Sequence, residues 1–358
     1  MTWSDGKREF KYDYAVFPGR FQVLHFGHMH VIMEALKQAA HVIIAIGSIN
    51  QPRSPRNPFT YKERTEYIYG ALSEEYWDHV TIIGIEDMLY NDSEWITQVR
   101  GKVQAVIDSR KDGDKKVALF GHNKDETSYY LELFPAWDSE NISNYKGLSS
   151  TTERDWYFSP DSRIPKLYID KSEVKESVPQ NVIEFMKVFS KTEDYRWVVK
   201  EQRFVDKYKE SWAAAPYPPT FVTVDAVVVV GGHILLIRRR AEPGAGLYAL
   251  PGGFINPNEF IQDAVLRELR EETRIKIPKP VLLGSIVNRE VFDSPNRSAR
   301  GRTITHAFLI HLKNETSLPK IAGSDDADKA VWVPLDALDS SILFEDHASI
   351  IRKMIKDI

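Results

Sequence analysis

The first half of the chain alternates short apolar runs with amphipathic stretches. The apolar runs are AVFPG, VIIAIG (42–47), VTIIGI (80–85), KVALFG (116–121) and KLYID (166–170). Amphipathic segments begin near Gly27, Thr60 and Ser93, and Thr60 with Glu63 has the spacing of a helix capping box. Strands that alternate with helices are typical of a parallel sheet, and strongly apolar strands suit a sheet covered on both faces. The pattern predicts an α/β doubly wound parallel sheet.

The second half of the chain has a different pattern. TFVTVDAVVVV and HILLIRRR flank the dipeptide Gly231-Gly232, which is a strong hairpin signal. Later strand-like runs are VLLGSIVNREVF, TITHAFLIHL and AVWVPL, and one helix is predicted at about 258–273. These features predict an α+β domain with a mixed or antiparallel sheet.

A charged, aromatic-rich segment lies between the two halves, after a predicted helix near Val182–Ser190, and ends in AAAPYPPT. Because the prolines at 216, 218 and 219 cannot continue a helix, the domain join is placed there. We therefore predict a first domain over 11–190, a helical and proline-containing linker over 191–219, and a second domain over 220–358.

Composition narrows the classes of function. The 358 residues are 42% hydrophobic and 11% aromatic, which is ample for two cores. The absence of cysteine excludes disulfides, thiolate zinc sites and cysteine nucleophiles. A net charge of −4 lacks the basic footprint that nucleic-acid binding requires. The polar start MTWSDGKREFKYDY and the lack of any apolar run of about 18 residues predict a soluble, cytoplasmic protein without a membrane span.

The first apolar run is followed by GRFQVLHFGHMH, which places candidate residues at a strand-to-helix junction. Ligands of open α/β sheets bind at the carboxyl ends of strands, where helix N-termini attract phosphate. His25 and His28 can reach one anion there, and Gly27 lets the backbone come close to a phosphate. Taken alone, such a pair of histidines more often packs at a helix start.

This stretch resembles the GRFQPxHxGH signature of nucleotidyltransferases, and more closely that of nicotinamide mononucleotide (NMN) adenylyltransferases, although Val23 replaces the usual proline. GLSSTTER at 147–154 resembles the ISSTxxR motif of that family, with Leu148 in place of isoleucine. GSINQPRSPRNPFTYKER at 47–64 resembles the GS…NPFT…ER segment of its archaeal-type members. NDSEW at 91–95 puts Trp95 where those members stack an aromatic ring on nicotinamide. The motifs occur in order over roughly 14–190.

The resemblance implies a Rossmann-like nucleotidyltransferase that joins NMN to the AMP of its substrate ATP, giving NAD and pyrophosphate without a protein nucleophile. Mg²⁺, with Mn²⁺ as an alternative, would bridge phosphate oxygens. The implied catalytic residues are His25, His28 and Arg154, the implied nucleotide-binding residues are Gly19, Arg20, Phe21, Gly27, Ser149, Ser150 and Thr151, and the implied mononucleotide-binding residues are Asn57 and Trp95. A plain core or rim position for Trp95 fits the sequence as well.

In the second half, LPGGFINPNEFIQDAVLRELREETRI carries charged residues at fixed offsets from a Gly-Gly pair. On a helix, Glu268, Glu271 and Glu272 share one face. Like charges this close are tolerated chiefly beside a divalent cation. Taken alone, LRELREET is more often a solvent-exposed acidic face.

This segment resembles the Nudix signature G-x5-E-x7-R-E-U-x-E-E-x-G-U, in which U is a bulky aliphatic residue, except that Arg274 replaces the second glycine. If that position requires left-handed backbone, arginine strains the helix exit by roughly 1–2 kcal/mol. The resemblance implies a Nudix fold and Mg²⁺-dependent attack of water on a pyrophosphate, with Mn²⁺ as an alternative metal. The implied metal ligands are Glu268, Glu271 and Glu272, of which Glu271 and Glu272 are also assigned as catalytic.

Two further features belong to this second site. Gly253, Glu259 and Arg267 are predicted to join the loop to the helix, with Arg267 paired to Glu259 or another carboxylate. Asp325 and Asp326 in GSDDADK are candidates for activating the attacking water, and an acidic surface turn explains them at least as well.

The joining of these modules resembles bifunctional bacterial adenylyltransferase/Nudix proteins, whose hydrolase half is associated with ADP-ribose. The first hypothesis is two active enzymes, the second of which converts ADP-ribose to AMP and ribose 5-phosphate. The alternative is an active adenylyltransferase with a non-catalytic Nudix nucleotide sensor. The retained glutamates favour catalysis. The predicted partners are the small nucleotides ATP, NMN, NAD and ADP-ribose, with no nucleic acid and no membrane. The sequence leaves three questions open: whether the chain forms a homo-oligomer, whether it uses NMN or nicotinate mononucleotide, and which substrate the Nudix half prefers.

Overall fold

The computed structural model describes residues 3–4, 7–8, 10–110, 115–121, 133–159, 172–313, 317–322, 327–356 and 358. The chain forms two compact units, Met1–Ile49 with Arg53–Gln202, and Asn50–Pro52 with Arg203–Ile358. The division after Gln202 lies inside the predicted linker, in a helix that ends before the prolines. In the described ranges, no helix is long and apolar enough to cross a membrane.

The first unit alternates strands and helices. Its elements are β1 (Trp3–Ser4), β2 (Lys7–Arg8), β3 (Tyr12–Gly19), α1 (Phe26–Gln38), β4 (Ala39–Ile46), α2 (Tyr61–Ala71), a 3-10 helix (Glu74–His79), β5 (Val80–Gly84), α3 (Asp92–Ser109), β6 (Val117–Gly121), β7 (Asp138–Asn141), α4 (Ser150–Tyr157), α5 (Ser172–Ser177) and α6 (Gln180–Phe189). Helix α7 (Glu193–Glu210) follows and contains the division between the units.

The main sheet of this unit has the order β5-β4-β3-β6-β7, and all four pairings are parallel. Alternate residues of β3 belong to two hydrophobic cores, one on each face of the sheet. Ala15 and Phe17 pack in one core, and Tyr14 and Val16 pack in the other. Helices therefore cover both faces, which confirms the doubly wound α/β prediction. Strand β3 pairs with both β4 and β6, so its carboxyl end lies where the strand order reverses, the usual ligand position in open sheets.

The capping box at the start of α2 is confirmed. The Thr60 hydroxyl accepts a hydrogen bond from the Glu63 amide at 3.3 Å, and the Glu63 carboxylate accepts one from the Thr60 amide at 2.7 Å. Strand β7, by contrast, was not predicted, because its sequence DSEN has no apolar pattern and its pairing depends on the neighbouring β6. The predicted strand KLYID lies outside the described residues.

The second unit is built on a mixed sheet. Its elements are β8 (Thr220–Val230), β9 (His233–Arg239), β10 (Tyr248–Ala249), β11 (Gly252–Phe254), α8 (Ile261–Thr273), α9 (Lys279–Gly284), β12 (Ile286–Phe292), β13 (Arg302–His311), β14 (Ala327–Pro334), two 3-10 helices (Leu335–Ala337 and Ser340–Ile342) and α10 (His347–Met354). The strand order is β10-β9-β8-β13-β12, with β11 also paired to β8 and β14 to β9. Among the pairings of the described strands in this second unit, only β8–β13 is parallel, which confirms the mixed α+β prediction.

Local turn chemistry explains the hairpin of β8 and β9. Gly231 and Gly232 have φ values of +52° and +72°, which side chains disfavour and the two-residue hairpin turn requires. Two other predictions need correction. VLLG is the end of helix α9 rather than strand, because Pro278 and Pro280 set up a helix start there. Helix α8 begins at Ile261 rather than near 258, with Phe260 as its N-cap.

Candidate active sites

A cavity of about 290 Å³ opens at the carboxyl end of β3. Its walls come from the exit of β3, the start of α1, the segment after β7 and the start of α4. The cavity brings together these residues predicted from the sequence: Gly19, Arg20, Phe21, His25, Gly27, His28, Ser149, Ser150, Thr151 and Arg154. Residues more than a hundred positions apart therefore meet at the topological switch point of the sheet.

The two histidines form a stacked pair at the start of α1. His25 is the N-cap residue, and its backbone amide donates to Nδ1 of His28 at 3.3 Å. The rings are 3.8 Å apart between centroids, with 25° between their planes. His28 also lies over the ring of Phe21, at 4.9 Å. Both imidazoles thus line the cavity in a fixed arrangement beside the helix N-terminus.

Gly27 has a structural reason within the chain, in addition to the predicted approach to a phosphate. A Cβ at this position would come within 2.9 Å of the His25 ring. Glycine therefore lets the His25 imidazole lie against the first turn of α1. A Cβ at Gly19 would likewise meet the Phe21 ring at 3.0 Å.

Two arginines make the cavity electropositive. Burial lowers the pKa of Arg20 to about 10, and repulsion from Arg56 and Arg154 acts in the same direction. Burial also lowers the pKa of Arg154 to about 10. Both guanidinium groups remain charged at neutral pH, because each pKa still lies well above 7. Two partly desolvated cations facing one cavity favour an anionic ligand.

Hydrogen bonds tie the start of α4 to the loop after β3. Arg154 donates to the carbonyl of Gln22 and, at 3.1 Å, to the Thr151 hydroxyl. The Ser150 hydroxyl donates to the carbonyl of Val23 at 2.9 Å. Ser150 and Arg154 therefore connect two walls of the cavity, while Ser149 accepts from the Thr151 amide as N-cap of α4.

In the second unit, Arg267 is the centre of a charged network between the loop and α8. Its guanidinium donates to both carboxylate oxygens of Glu259, at 2.9 and 2.6 Å, as the sequence suggested. It also donates to Glu268 at 2.7 Å, to Glu271 at 3.0 Å and to the carbonyl of Phe254 at 3.1 Å. These Arg267 hydrogen bonds, with one from the Asn256 amide, hold the pKa of Glu259 at about 2.

The acidic face of α8 is partly buried. Glu272 accepts a hydrogen bond from the Gly252 amide at 2.9 Å, and burial raises the pKa of Glu272 to about 8, with Glu268 adding repulsion. Burial also raises the pKa of Glu268. A Cβ at Gly253 would lie 2.6 Å from the Glu268 carboxylate, so a side chain there would displace that carboxylate. The Glu268 and Glu272 carboxylates are thus held against strand β11, whereas the Glu271 side chain is 58% exposed.

The exit of α8 has left-handed backbone. Arg274 is its C-cap residue, with φ of 50° and ψ of 30°, and its amide donates to the carbonyl of Arg270 at 2.9 Å. This is the conformation that the glycine of the signature would adopt without strain. Arg274 adopts this left-handed conformation in place of glycine, and the helix ends at the expected position.

Comparisons with known proteins bear on the whole chain. Residues 16–155 match the cytidylyltransferase-like family, and residues 219–358 match the NUDIX domain. The crystal structure of a bifunctional NMN adenylyltransferase/ADP ribose pyrophosphatase from Francisella tularensis is 35% identical, with a TM-score of 0.88, and the match covers 97% of this chain and 99% of that one. The chain belongs to this bifunctional family. A second structure of that protein, at 36% identity and a TM-score of 0.86, contains AMP and a manganese ion.

Relatives of the separate halves agree. The nicotinamide/nicotinic acid mononucleotide adenylyltransferase of Acinetobacter baylyi is 37% identical over 198 residues, which is 55% of this chain and 97% of that protein. The ADP-ribose pyrophosphatase of Methanocaldococcus jannaschii is 36% identical over 136 residues, which is 38% of this chain and 73% of that protein. Each half of this chain thus has a relative that is named for a single activity.

Two predicted residues of the adenylyltransferase half lie outside the cavity wall. Trp95 is in the first turn of α3, half-buried, and meets the Phe134 ring edge-on with centroids 5.8 Å apart. Asn57 is in the segment between β4 and α2, and its Oδ1 is buried without a hydrogen-bond partner among the described residues. Asn57 follows β4 and Trp95 follows β5. In the strand order these two strands lie on one side of β3, whereas β6 and β7, which precede α4 in the chain, lie on the other side.

Eight residues of the cavity wall were not among the predicted site residues: Phe17, Pro18, Gln22, Val31, Ser143, Asn144, Tyr145 and Leu148. The last four follow β7, and the polar sequence of that strand gave no signal that the chain returns to the sheet here. Their proximity in sequence to GLSSTTER is the only hint that could have identified them.

The carboxylates of α8 fit a divalent cation by their chemistry, because three oxygen donors share a helix face and burial of Glu272 disfavours its charge until a cation compensates. Within the described ranges, however, no three Asp, Glu or His side chains already form a closed ligand set. Arg267 engages Glu268 and Glu271 instead. Asp325 and Asp326 lie outside the described residues.

Proposed function

We propose that this chain carries both activities of its family. The first unit would transfer AMP from ATP to NMN, releasing pyrophosphate and NAD, and the second would hydrolyse ADP-ribose to AMP and ribose 5-phosphate. The observation that supports the first activity best is the cavity at the end of β3, where Arg20, His28 and Arg154 meet beside a helix N-terminus. The substrates would be small nucleotides, with no nucleic acid or membrane, and the location cytoplasmic.

The chemistry of adenylyl transfer suits this cavity. The phosphate of the mononucleotide attacks the α-phosphorus of ATP, and the bond to pyrophosphate breaks. Catalysis consists of alignment and neutralisation of the charge that develops on the phosphate oxygens. We assign the four side chains Arg20, His25, His28 and Arg154 to the triphosphate and to that developing charge. Mg²⁺, when bound, would supply further neutralisation between phosphate oxygens.

The mononucleotide would lie over the ends of β4 and β5, next to the cavity. Asn57 supports this assignment, because its buried Oδ1 needs a donor and both the ribose hydroxyls and the carboxamide of NMN can donate. Trp95 would stack on the nicotinamide ring from the start of α3.

In the second unit, Glu268, Glu271 and Glu272 would hold Mg²⁺, or Mn²⁺, which when bound activates water and stabilises the leaving phosphate. The chain's own contribution is to hold the ligands in place. Arg267 joins the loop to the helix through Glu259, and the Gly252 amide orients Glu272. Asp325 and Asp326 remain our candidates for accepting the proton of the attacking water.

A substrate panel tests both halves in one preparation of the intact chain. Each mononucleotide is offered with ATP and Mg²⁺, and dinucleotide and pyrophosphate are quantified. ADP-ribose, NADH and FAD are offered separately, with Mg²⁺, Mn²⁺ or chelator. We expect NAD from NMN and AMP from ADP-ribose, each only with metal. If neither mononucleotide yields a dinucleotide, the first half of the proposal is wrong, and if no pyrophosphate substrate is cleaved, the second half is wrong.

A further inference from the structure

Arg64 is a buried cation whose hydrogen bonds all run to backbone carbonyls. Its side chain lies in helix α2, and the residue is 1% exposed. One terminal nitrogen donates to the carbonyls of Arg20 at 2.9 Å and Gly47 at 2.6 Å, and the other donates to that of Ser48 at 3.3 Å. Its Nε donates to the carbonyl of Thr60 at 3.2 Å. One guanidinium therefore links the exits of β3 and β4 to the start of α2.

The loops that Arg64 links carry the proposed adenylyltransferase site. Arg20 leads from β3 into the cavity, and the segment from Gly47 leads to Asn57. Ser48 has left-handed backbone, with φ of 54°, and its hydroxyl donates to the partly buried Asp87 at 3.0 Å. Asp87 follows β5, so the same set of bonds reaches a third strand exit.

Neither a neutral nor a flexible side chain reproduces these contacts. A buried cation is costly to desolvate, and an apolar residue would pack in a helix more cheaply. The planar guanidinium presents five N–H donors in a fixed fork, whereas a lysine ammonium is a compact point charge on a flexible stem. Arginine is required here because three carbonyl groups from two loops, those of Arg20, Gly47 and Ser48, converge on one side chain.

We propose that Arg64 is a positioning residue for adenylyl transfer, which sets the relative placement of the Arg20 and Gly47–Asn57 loops and so aligns the two nucleotides. It does not touch either substrate. The inference rests on the proposed function of the first unit. Misplacement of reacting groups by about 1 Å can cost on the order of 100-fold in rate. The loss is expected in kcat more than in the KM for ATP, because Arg154 and His28 still face the cavity.

The test uses the full-length chain with Arg64→Lys, Arg64→Ala and the control Tyr195→Phe. Tyr195 donates one buried hydrogen bond to the carbonyl of Tyr157 at 3.0 Å, so the control weakens the same unit without touching the two loops. For each variant we would measure kcat and KM for ATP and NMN, the melting temperature, and ADP-ribose hydrolysis as an internal standard for intact protein.

We expect Arg64→Lys to keep the fold and lower kcat about 100-fold, even though it keeps the positive charge. Millimolar guanidinium should restore part of the kcat of Arg64→Ala, and methylammonium at equal ionic strength should not.

If Arg64→Ala fails to fold, the kcat of Arg64→Lys alone tests the inference. A kcat of Arg64→Lys near the wild-type value would overturn the inference and leave the proposed function standing. A loss of kcat that merely tracks the fall in melting temperature, as in Tyr195→Phe, would also overturn it. A wild-type chain that makes no dinucleotide would overturn the proposed function and this inference together.

Discussion

The imidazole rings of His25 and His28 are stacked with their centroids 3.8 Å apart, at the point where β3 gives way to α1. The contact depends on Gly27, since any Cβ there would approach the His25 ring to 2.9 Å. The histidine pair is therefore a rigid part of the cavity wall. The hydrogen bond from the His25 amide to Nδ1 of His28 and the stacking of the two rings are made within the chain itself, so the protein sets the orientation of the pair.

The first prediction concerns His28. We expect His28→Ala to lower the rate of dinucleotide synthesis by about 100-fold or more, because a contact to developing transition-state charge is lost. ADP-ribose hydrolysis should stay near normal, since that site is in the other unit. His79→Ala, an exposed histidine of the same unit, serves as the matched control. Wild-type synthesis by a folded His28→Ala would show that the assignment of this loop is wrong.

The second prediction concerns Trp95. We expect Trp95→Ala to raise the KM for the mononucleotide more than that for ATP, by a factor that corresponds to about 1–3 kcal/mol of lost stacking. Trp77→Ala removes a tryptophan that is 46% exposed in the same unit and should change neither KM. Steady-state kinetics with each substrate varied in turn gives the comparison. Equal increases for both substrates would point to general disturbance of the domain instead of a mononucleotide contact.

The third prediction separates a metal ligand from a structural acid on α8. Glu272→Gln should abolish metal-dependent hydrolysis of ADP-ribose, yet should not lower the melting temperature in chelator. Burial and the neighbouring Glu268 already disfavour the charge of Glu272, so the neutral amide is tolerated without metal. Glu290→Gln, which loses an ion pair to Lys353, is the control for a charge change elsewhere in the unit.

The measurement is hydrolysis against Mg²⁺ or Mn²⁺ concentration, beside melts with and without chelator. Unchanged turnover and metal dependence in Glu272→Gln would remove the catalytic role of this helix. That result would favour a nucleotide-sensing Nudix half.

The fourth prediction concerns the left-handed residue after α8. Replacing Arg274 by glycine should relieve about 1–2 kcal/mol of backbone strain, and the greater freedom of glycine in the unfolded chain offsets about 0.5–1 kcal/mol of this. We expect Arg274→Gly to raise the free energy of unfolding of the second unit by roughly 0.5–1 kcal/mol. Arg274→Ala keeps the strain and should show no gain. A loss of stability on substitution by glycine, measured by urea unfolding, would contradict the strain argument.

The fifth prediction concerns the pH dependence of stability through His347. This histidine accepts the Leu250 amide at 2.9 Å, and its burial lowers its pKa to about 3, against an opposing effect of Asp346. Arg297 and Asp225 also face it. In the unfolded chain the imidazole binds a proton below about pH 6.5, whereas in the folded chain it stays neutral down to about pH 3. The contribution of the neutral His347 side chain to the free energy of unfolding is therefore complete above pH 6.5 and is lost as the pH falls below that value.

We expect the melting temperature of the second unit to fall more steeply between neutral and mildly acidic pH in the wild-type chain than in His347→Gln. The variant should be less stable at neutral pH and show the shallower slope. Parallel slopes in the two proteins would mean that His347 does not titrate on unfolding. His233→Gln, a histidine at the β8–β9 turn, controls for the loss of an imidazole as such.

The sequence determined those features that depend on neighbours along the chain. Gly231 and Gly232 predicted the hairpin because left-handed backbone is a local requirement, and Thr60 with Glu63 predicted a helix start because the capping bonds span three residues. The apolar runs of β3 and β4 identified a buried parallel sheet. The ordered motifs likewise indicated the residues that the cavity brings together.

Only the tertiary structure decided what depends on distant partners. Strand β7 is polar and exists because β6 offers a free edge, so the residues that follow it in the cavity wall had no local signal. The close approach of the His25 ring to Gly27 is likewise visible only in the folded chain. Arg64 meets the carbonyl of a residue 44 positions away, and nothing in YKER says which carbonyls will surround that side chain. Hydrogen bonds of this kind form only after the chain has closed large loops, which is why no local pattern encodes them.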